Sequence, residues 1–494
     1  MNKIVERKPG SALRYAMSRR AAGQHLTVEL SEIVKLAWPM VLTQLAQVAM
    51  MTTDLAFIGH IGPEALAAAA LAVTLYLVSF TFGAGLLAPI APLAAQAYGA
   101  GNPAMVQRAL RTGLWAALML SFPIIAFAFG GEQILLAFGQ APDAARLAQQ
   151  YLFGLALGVV PALWLQVIRN FMSAVNRPEP ILWITLAAIT LNALLVYLLV
   201  YGKLGLPRLE LFGAALASTL VNCAMFLAGF WFATMRRPFR DYHVLADLWQ
   251  LDWPFLRQLI VIGTPISIAS LMQYGVLSAA ALLASLISTS ALAAHQIALQ
   301  ITVITSMIAF GISMAVAVRV GHAVGRSDGS GIQRAGLAAI LLGTLIAALL
   351  TVAVIVARFE IAELFLDKSA GDADTTIGLT AELLIVAASL FVTDAAQSIA
   401  AGGLRGLKDT RVPLLFVGIA YWLIGFSLGY MLGLKIGLGA IGIWIGLSIG
   451  TTIYAGLLVL RFHLLRAGVL SEPSLDGVYD GYWRDNLRNA RLLT

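Results

Sequence analysis

The sequence predicts an all-α membrane protein, twelve transmembrane helices in two pseudo-symmetric six-helix lobes. Three observations carry this expectation. The 494 residues are 60% hydrophobic and only 12% charged, with a mean hydropathy of +0.85, whereas a soluble chain has roughly 25% charged residues. The apolar runs reach the length of about 20 residues that crosses a bilayer as a helix. The chain also repeats itself at a constant offset of 226 residues. Pro39 matches Pro265, Gln47 matches Gln273, and Ala65-Leu66-Ala67-Ala68 matches Ala291-Leu292-Ala293-Ala294. Gly85 matches Gly311, Gly99 matches Gly325, and Gln107-Arg108 matches Gln333-Arg334. A membrane chain built of two like halves implies a site between the halves and a rocking motion about it.

Charge, Pro and Gly bound twelve helices along the chain. They lie near 33–58 (α1), 67–97 (α2), 109–129 (α3), 146–173 (α4), 180–201 (α5) and 211–235 (α6). The second half gives 255–286 (α7), 292–325 (α8), 333–357 (α9), 377–404 (α10), 412–433 (α11) and 438–465 (α12). Several exceed the usual span and must tilt, bend or protrude. Pro39, Pro89, Pro92, Pro161 and Pro265 are the natural bending points, because each removes a backbone donor. The implied organisation is a polar N-terminal segment 1–32, an N-lobe 33–235, a linker 236–254, a C-lobe 255–465 and a polar tail 466–494. Later matches in each half drift in offset, as with Asn176 against Asp409 and Gly213 against Gly442. Small insertions in the loops account for the drift. Residues 1–32 lack the short apolar core of a cleaved signal, so no leader is expected.

Loop charge orients the helices. With both termini in the cytoplasm, 26 of the 32 Lys and Arg fall on the inner side and six on the outer side, as the positive-inside rule requires. The net charge of +7 and pI near 9.5 therefore reflect topology, and nucleic-acid binding is not expected. The loop 358–374, with Glu360, Glu363, Asp367, Asp372 and Asp374, is read as a solvated outer loop. The single Cys223 excludes a disulfide framework and reads as a packing residue.

An ionised residue at bilayer depth costs about 3 kcal/mol or more, so its presence points to function. Asp54 in α1 and Asp394 in α10 are the two candidates; Glu382 lies near the outer end of α10, within reach of water. Either aspartate can take a cation or a proton, or order its lobe through hydrogen bonds. Asn192 in α5 and Ser218 and Thr219 in α6 offer oxygen to a hard cation such as Na+, or bond between helices. Gln47 and Gln273, at equivalent positions, are cavity-lining or structural residues, and Thr219 is a further lining candidate. Tyr274 belongs to the Met and aromatic residues from which a cleft for flat, greasy cations could be lined. His295 is read as a polar residue opening α8, and His60 as a loop residue. There is no Walker A sequence and no nucleophile–base or metal constellation, so neither an enzyme nor an ATP-driven machine is expected, and no cofactor is implied.

Several segments together, WPMVLTQLAQVAMMTTDLAFIGHIG, APLAAQAYGAGN, AAHQIALQ, AVAVRVGHAVGR and GGLRGLKDTRVP, resemble the multidrug and toxic compound extrusion family, bacterial NorM-type branch, over about residues 30–465. The resemblance implies alternating access and export of cationic drugs in exchange for Na+ or H+, by a monomer in the cell inner membrane. It places the family's α1 acid on Asp54, its α5 amide on Asn192, its α6 hydroxyl on Ser218 and its α10 acid on Asp394. Asp54, Asn192 and Ser218 become the candidate Na+ ligands, and Pro39 and Pro265 the candidate hinges. Two positions depart from the pattern: Gln273 stands where an α7 Glu is common, and Val196 where a related branch has Asp. A lipid-linked precursor flippase, an organic-acid exporter and a channel are the alternatives. Basic residues clustered at the inner loops, rather than in a cavity, argue against the flippase.

Overall fold

The computed structural model describes residues 11–203, 205, 207–242, 249–365 and 373–471, with side chains described over 27–203, 205, 207–242, 249–365 and 374–465. Residues 1–10, 243–248 of the linker, Asp367, Lys368 and Asp372 of the acidic loop, and 472–494 of the tail lie outside them. The described residues form helices and no strand. In the first half α1 is Ser11–Gly59, α2 Pro63–Gly99, α3 Pro103–Phe129, α4 Pro142–Ala156 with Val159–Ala174, α5 Glu179–Tyr201 and α6 Glu210–Met235. In the second, α7 is Trp253–Ser285, α8 Thr289–Gly325, α9 Gly329–Val356, α10 Ala373–Gly406, α11 Arg411–Lys435 and α12 Gly439–Ser471. Eleven are long and apolar enough to span a bilayer singly, and α4 makes a twelfth as a pair bent by 48°.

The bends follow the prolines. Pro161 offers no N–H to the Leu157 carbonyl, and α4 breaks at Leu157–Gly158. Pro89 withdraws the donor from Gly85 O, which takes the Ala88 N–H instead at 3.3 Å; α2 is interrupted there. Pro39 and Pro265 lie inside unbroken helices. Thr43 Oγ1 donates to Pro39 O at 2.7 Å, a back-bond of the kind that bends helices. Helix α1 starts at Ser11, far earlier than hydropathy indicates, because 11–32 lacks Pro and is rich in helix formers. Two short helices, Gly131–Ala137 and Arg358–Phe365, fill loops that the sequence left open; the second takes up the start of the acidic loop.

The 226-residue repeat is a repeat of contacts. A Cβ built on Gly85 would lie 2.7 Å from Ser267 Cα, and one on Gly311 would lie 2.7 Å from Val41 Cα. Ser267 is the repeat mate of Val41, and Gly311 of Gly85, so one backbone crossing occurs twice: α2 on α7 and α8 on α1. Farther along, Gly99 closes on His322 and Gly325 on Gln96, again mates. Gln96 Nε2 donates to Gly406 O at 2.8 Å, and His322 Nε2 to Ala174 O at 2.7 Å. Each bond runs from one lobe into the other. The turns repeat as well. Asn102 Oδ1 caps α3 at Met105 N (3.0 Å), and Asp328 Oδ1 caps α9 at Gly331 N (2.8 Å).

These inter-lobe contacts lie toward the end of the molecule that carries the basic residues. Two ion pairs reinforce them, Arg319 with Glu29 at 2.8 Å and Arg108 with Asp252. Burial raises the Asp252 carboxyl, but the bonds from Arg108 and Phe255 N–H outweigh it and hold the group below the usual range. One apolar cluster, including Leu93, Leu163, Val316 and Leu404, runs through both lobes. Two others stay within one lobe each. The first surrounds Ile58, Leu152, Val196 and Ala214, and the second Ala294, Leu384, Phe391 and Trp444. The lobes are thus joined at the basic end and pack as separate cores toward the other, with a cleft between those cores.

Adding a methyl group at Gly85 or Gly311 must push two backbones apart. Gly85→Ala and Gly311→Ala should each destabilise by about 2 kcal/mol or more. Gly456→Ala, where a Cβ meets nothing within 4 Å, should be neutral or stabilising by up to about 1 kcal/mol. Thermal unfolding of the purified variants in detergent measures the contrast; equal effects at all three sites would contradict the crossings.

Candidate functional site

In the N-lobe, Asp54 sits five residues before the end of α1, and α5 and α6 pack against it there. Asn192, fully buried, donates from Nδ2 to Asp54 Oδ1. Ser218 Oγ reaches Asp54 Oδ2 at 3.2 Å and Ala214 O at the same distance, so its one proton is shared. Asn192 Oδ1 is buried without a hydrogen-bond partner among the described residues. The structure therefore brings together the three residues that the resemblance placed at one site: a carboxylate, a carboxamide oxygen in want of a partner, and a hydroxyl. No basic side chain pairs with Asp54 among the described residues. A half-buried carboxylate held by neutral donors alone is poised to take a proton or a cation, since either removes the unpaired charge.

In the C-lobe, Asp394 accepts from Ser306 Oγ of α8 and from Gln397 Nε2, each at 2.6 Å. Gln397 Oε1 accepts from Tyr421 OH of α11 at 2.8 Å, and Thr451 Oγ1 of α12 lies 3.5 Å from that hydroxyl. Tyr421 stands in a π-helical stretch, Gly418–Phe426, where a widened turn re-aims side chains. This chain borders a cavity of about 380 Å³ between α7, α8, α10, α11 and α12. Gln273, Tyr274 and Pro265 line it, as does Trp444, whose Nε1 donates to His295 Nδ1 at 3.1 Å. His295 is fully buried, not the helix-terminal polar residue expected. His60 follows the end of α1 and is exposed, its Nδ1 2.7 Å from Ala56 O. Glu382 is exposed, as expected.

Two expected lining residues are used otherwise. Thr219 is buried, and its hydroxyl donates to Gly154 O at 2.7 Å. It braces the bend of α4 instead of facing a cavity, because it lies one position, about 100° of helix, round α6 from Ser218. Gln47 accepts from Arg169 Nη1 at 3.4 Å. Its mate Gln273 lines the C-lobe cavity instead. Arg169 corrects a further expectation. Counted from sequence among the inner-loop charges, it is only 8% exposed, with both Nη atoms on Gln44 Oε1 at 3.1 and 3.0 Å. The sequence signal existed, since Arg169 lies within the apolar run WLQVIRNFM. Gln397 was equally findable: it is three residues after Asp394, on the same helix face. Among the described residues no three His, Cys, Asp or Glu side chains cluster as a metal site.

The MatE family model matches residues 39–198 and 265–431, starting on the two paired prolines. A probable multidrug resistance protein NorM of Bradyrhizobium diazoefficiens is 56% identical over 441 residues, 89% of this chain and 94% of the relative. A protein with the same description from Rhodopseudomonas palustris is 50% identical over 460 residues, 92% of this chain and 96% of the relative. Among solved structures, a multidrug resistance MATE family transporter of the MOP superfamily in an outward-facing conformation superposes with a TM-score of 0.82. It is 19% identical, and the match covers 90% of this chain and 97% of that one. The eukaryotic MATE transporter AtDTX14 gives 0.79 at 18% identity, covering 90% of this chain and 99% of that one.

The geometry ranks the N-lobe residues. Asn192→Leu removes the principal donor to Asp54 and should slow cation-driven transport at least about 10-fold, the worth of a hydrogen bond to a charged group. Ser218→Ala, losing a shared bond, should cost no more than a few-fold. Thr219→Val should lower thermal stability and leave coupling intact. Initial rates in proteoliposomes beside melting curves test the order; a larger coupling loss at Thr219 than at Asn192 would contradict it.

Proposed function

The chain belongs to the MatE family, whose members are transporters, and on that premise we propose that it is a multidrug efflux antiporter. It exports cationic or amphipathic organic compounds in exchange for Na+ or H+. The observation that carries this reading is one half-buried carboxylate in each lobe, Asp54 and Asp394, each held by neutral donors on either side of a cleft.

The protein works as a monomer in the cell inner membrane, with both termini cytoplasmic, since the end holding most Lys and Arg belongs inside. The joined end of the lobes is then cytoplasmic and the cleft faces outward. The N-lobe (33–235) and C-lobe (255–465) rock about the glycine crossings to expose the cleft alternately. In the outward-open form a cation reaches Asp54. A proton needs only a carboxylate oxygen. Na+ requires the Asn192 amide to turn over, so that its unpartnered oxygen faces the ion and its Nδ2 leaves the carboxylate. Either event neutralises Asp54 and loosens its hold on α5 and α6. Helix α1 then shifts about Pro39, the cleft narrows and the organic cation leaves. Drug and cation must favour different states for the exchange to be coupled, because a ligand shifts an equilibrium only through its differential affinity. With Gln273 neutral, any cation site in the C-lobe rests on Asp394.

Efflux of a fluorescent organic cation from proteoliposomes tests this, driven by an inward Na+ gradient alone or an inward proton gradient alone. Asp54→Asn should abolish gradient-driven efflux while the protein remains folded. Loss of Na+-driven efflux in both Asp54→Asn and Asp394→Asn assigns a working cation site to each lobe. Loss of proton-driven efflux with Asp54→Asn alone assigns coupling to the N-lobe. Wild-type rates in Asp54→Asn would overturn the mechanism.

A further inference from the structure

The N-lobe carries a cavity of its own, apart from the cleft. It holds about 310 Å³ and is lined by Glu132, Arg146, Gln149, Gln150, Phe153 and Phe212. The short helix Gly131–Ala137, the first part of α4 and the start of α6 form it. The glycine crossings join the lobes through α1, α2, α7 and α8, and none of those helices lines this cavity.

Its place in the chain sets it at the edge of the bilayer. The span of α3 ends at Phe129, just before Glu132. Arg146 is in the second turn of α4, and Phe212 is in the first turn of α6. Exposed rings lead from the cavity into the span. Phe153 lies between Phe212 and Phe129, with ring centroids 6.3 and 5.5 Å away. Phe122, two turns before Phe129 and on the same face of α3, is exposed as well. An apolar stripe of this kind on a spanning helix meets acyl chains, and aromatic rings gather where chains give way to headgroups.

The charges above that stripe are unsettled. Glu132 is half-buried and Arg146 exposed. They share one cavity, yet they form no ion pair, and neither side chain has a hydrogen-bond partner among the described residues. Their setting is nevertheless fixed. Gln149 accepts from the Glu132 N–H at 2.8 Å and donates to Ala128 O at 3.2 Å, tying the end of α3 to α4. Gly131 closes on Leu152 with no room for a side chain. The corresponding short helix of the C-lobe, Arg358–Phe365, spends its charge locally. Arg358 Nη1 donates to Ile355 O at 2.8 Å, and its guanidinium carbon lies 4.7 Å from the Phe359 centroid.

An unpaired carboxylate and an unpaired guanidinium beside one space, above exposed rings, match a ligand with a cation, an anion and long apolar chains. We propose that this cavity binds the headgroup of phosphatidylethanolamine, its ammonium on Glu132, its phosphate on Arg146 and its chains along Phe153, Phe129 and Phe122. The primary ammonium donates N–H bonds that a carboxylate accepts, whereas the quaternary ammonium of phosphatidylcholine has none to give. Phosphatidylglycerol brings no cation to Glu132. The guanidinium fork suits phosphate oxygens. The site requires only that the chain spans a membrane and stands apart from the antiport reading.

Native mass spectrometry tests it, on full-length protein delipidated in detergent and titrated with dioleoyl lipids. Wild type should bind phosphatidylethanolamine about 5-fold more tightly than phosphatidylcholine, the upper worth of an exposed ion pair. Glu132→Gln should bring that ratio to about one and leave phosphatidylcholine binding unchanged, which also shows that the variant is folded. Arg146→Gln should weaken both lipids alike and keep the ratio. Arg208→Gln, at an exposed arginine paired with Glu210 at 3.5 Å, should change neither. Glycerophosphoethanolamine, the headgroup without chains, should compete poorly. Equal binding of the two lipids to wild type, tighter binding of phosphatidylglycerol, or a preference that survives Glu132→Gln overturns the site. Unchanged binding in Arg146→Gln removes the phosphate contact and overturns it too, and competition by the free headgroup at lipid-like concentration overturns a lipid as the occupant.

Discussion

The two lobes meet backbone to backbone, and the rest of the molecule follows from that joint. At Gly85 against Ser267 and Gly311 against Val41 there is no room for a side chain on the glycine. Contacts so close hold two helices together at a point in each half of the repeat. Each crossing lies two positions from a proline, Pro39 beside Val41 and Pro265 beside Ser267, so a pivot and a weakened helix coincide in both halves. The bonds from Gln96 to Gly406 and from His322 to Ala174 close the basic end. They are few, and their acceptors are carbonyls at helix ends. Opening that end exposes groups that water can satisfy at little cost.

The pivot constrains where chemistry can sit. On the proposed antiport, a charge that biases the lobes would sit on a helix of the joint, and Asp54 is carried by α1, one of the crossing helices. Asp394 is held by Ser306 on α8, the other partner of the same crossing. Each carboxylate is thus tied to one side of a single joint, between Val41 and Gly311. On the proposed antiport, neutralising either would change what its helix holds, and the change would reach the joint through covalent helix geometry. The lobes differ in their positive charges. Arg169 is locked into packing against α1, while Arg405 looks into volume. The N-lobe is thus braced around its acid, and the C-lobe holds a cavity beside its own.

Much of this was legible in the sequence because it depends on spacing. The 226-residue register named both glycine crossings before their partners were known, and the prolines marked the breaks in α2 and α4. Burial cost singled out Asp54 and Asp394, since few ionisable residues lie in apolar runs. What stayed hidden was rotation about helix axes. Ser218 and Thr219 are neighbours in the chain, yet one faces Asp54 and the other faces Gly154 O. Hydropathy around them is uniform and gives no azimuth. Gln47 and Gln273 share a register but not a role, since Gln47 meets Arg169 and Gln273 lines the cavity. The depth of Arg169 and Arg405 was obscured by their closeness to helix ends that do carry loop charge. The π-helical turns of α11 that aim Tyr421 at Gln397 leave no mark in an apolar run of near-uniform composition.

The central claim is that two rigid lobes exchange between two arrangements under opposite pull from cation and cargo. It is tested most directly by spin–spin distances between labels at Glu64 and Thr289, exposed positions at the starts of α2 and α8, on opposite sides of the cleft mouth. The account predicts two distances, the longer matching the cleft described here, with populations that shift in opposite directions when coupling cation or organic cation is added. A single distance, indifferent to both ligands under conditions where transport proceeds, would contradict it.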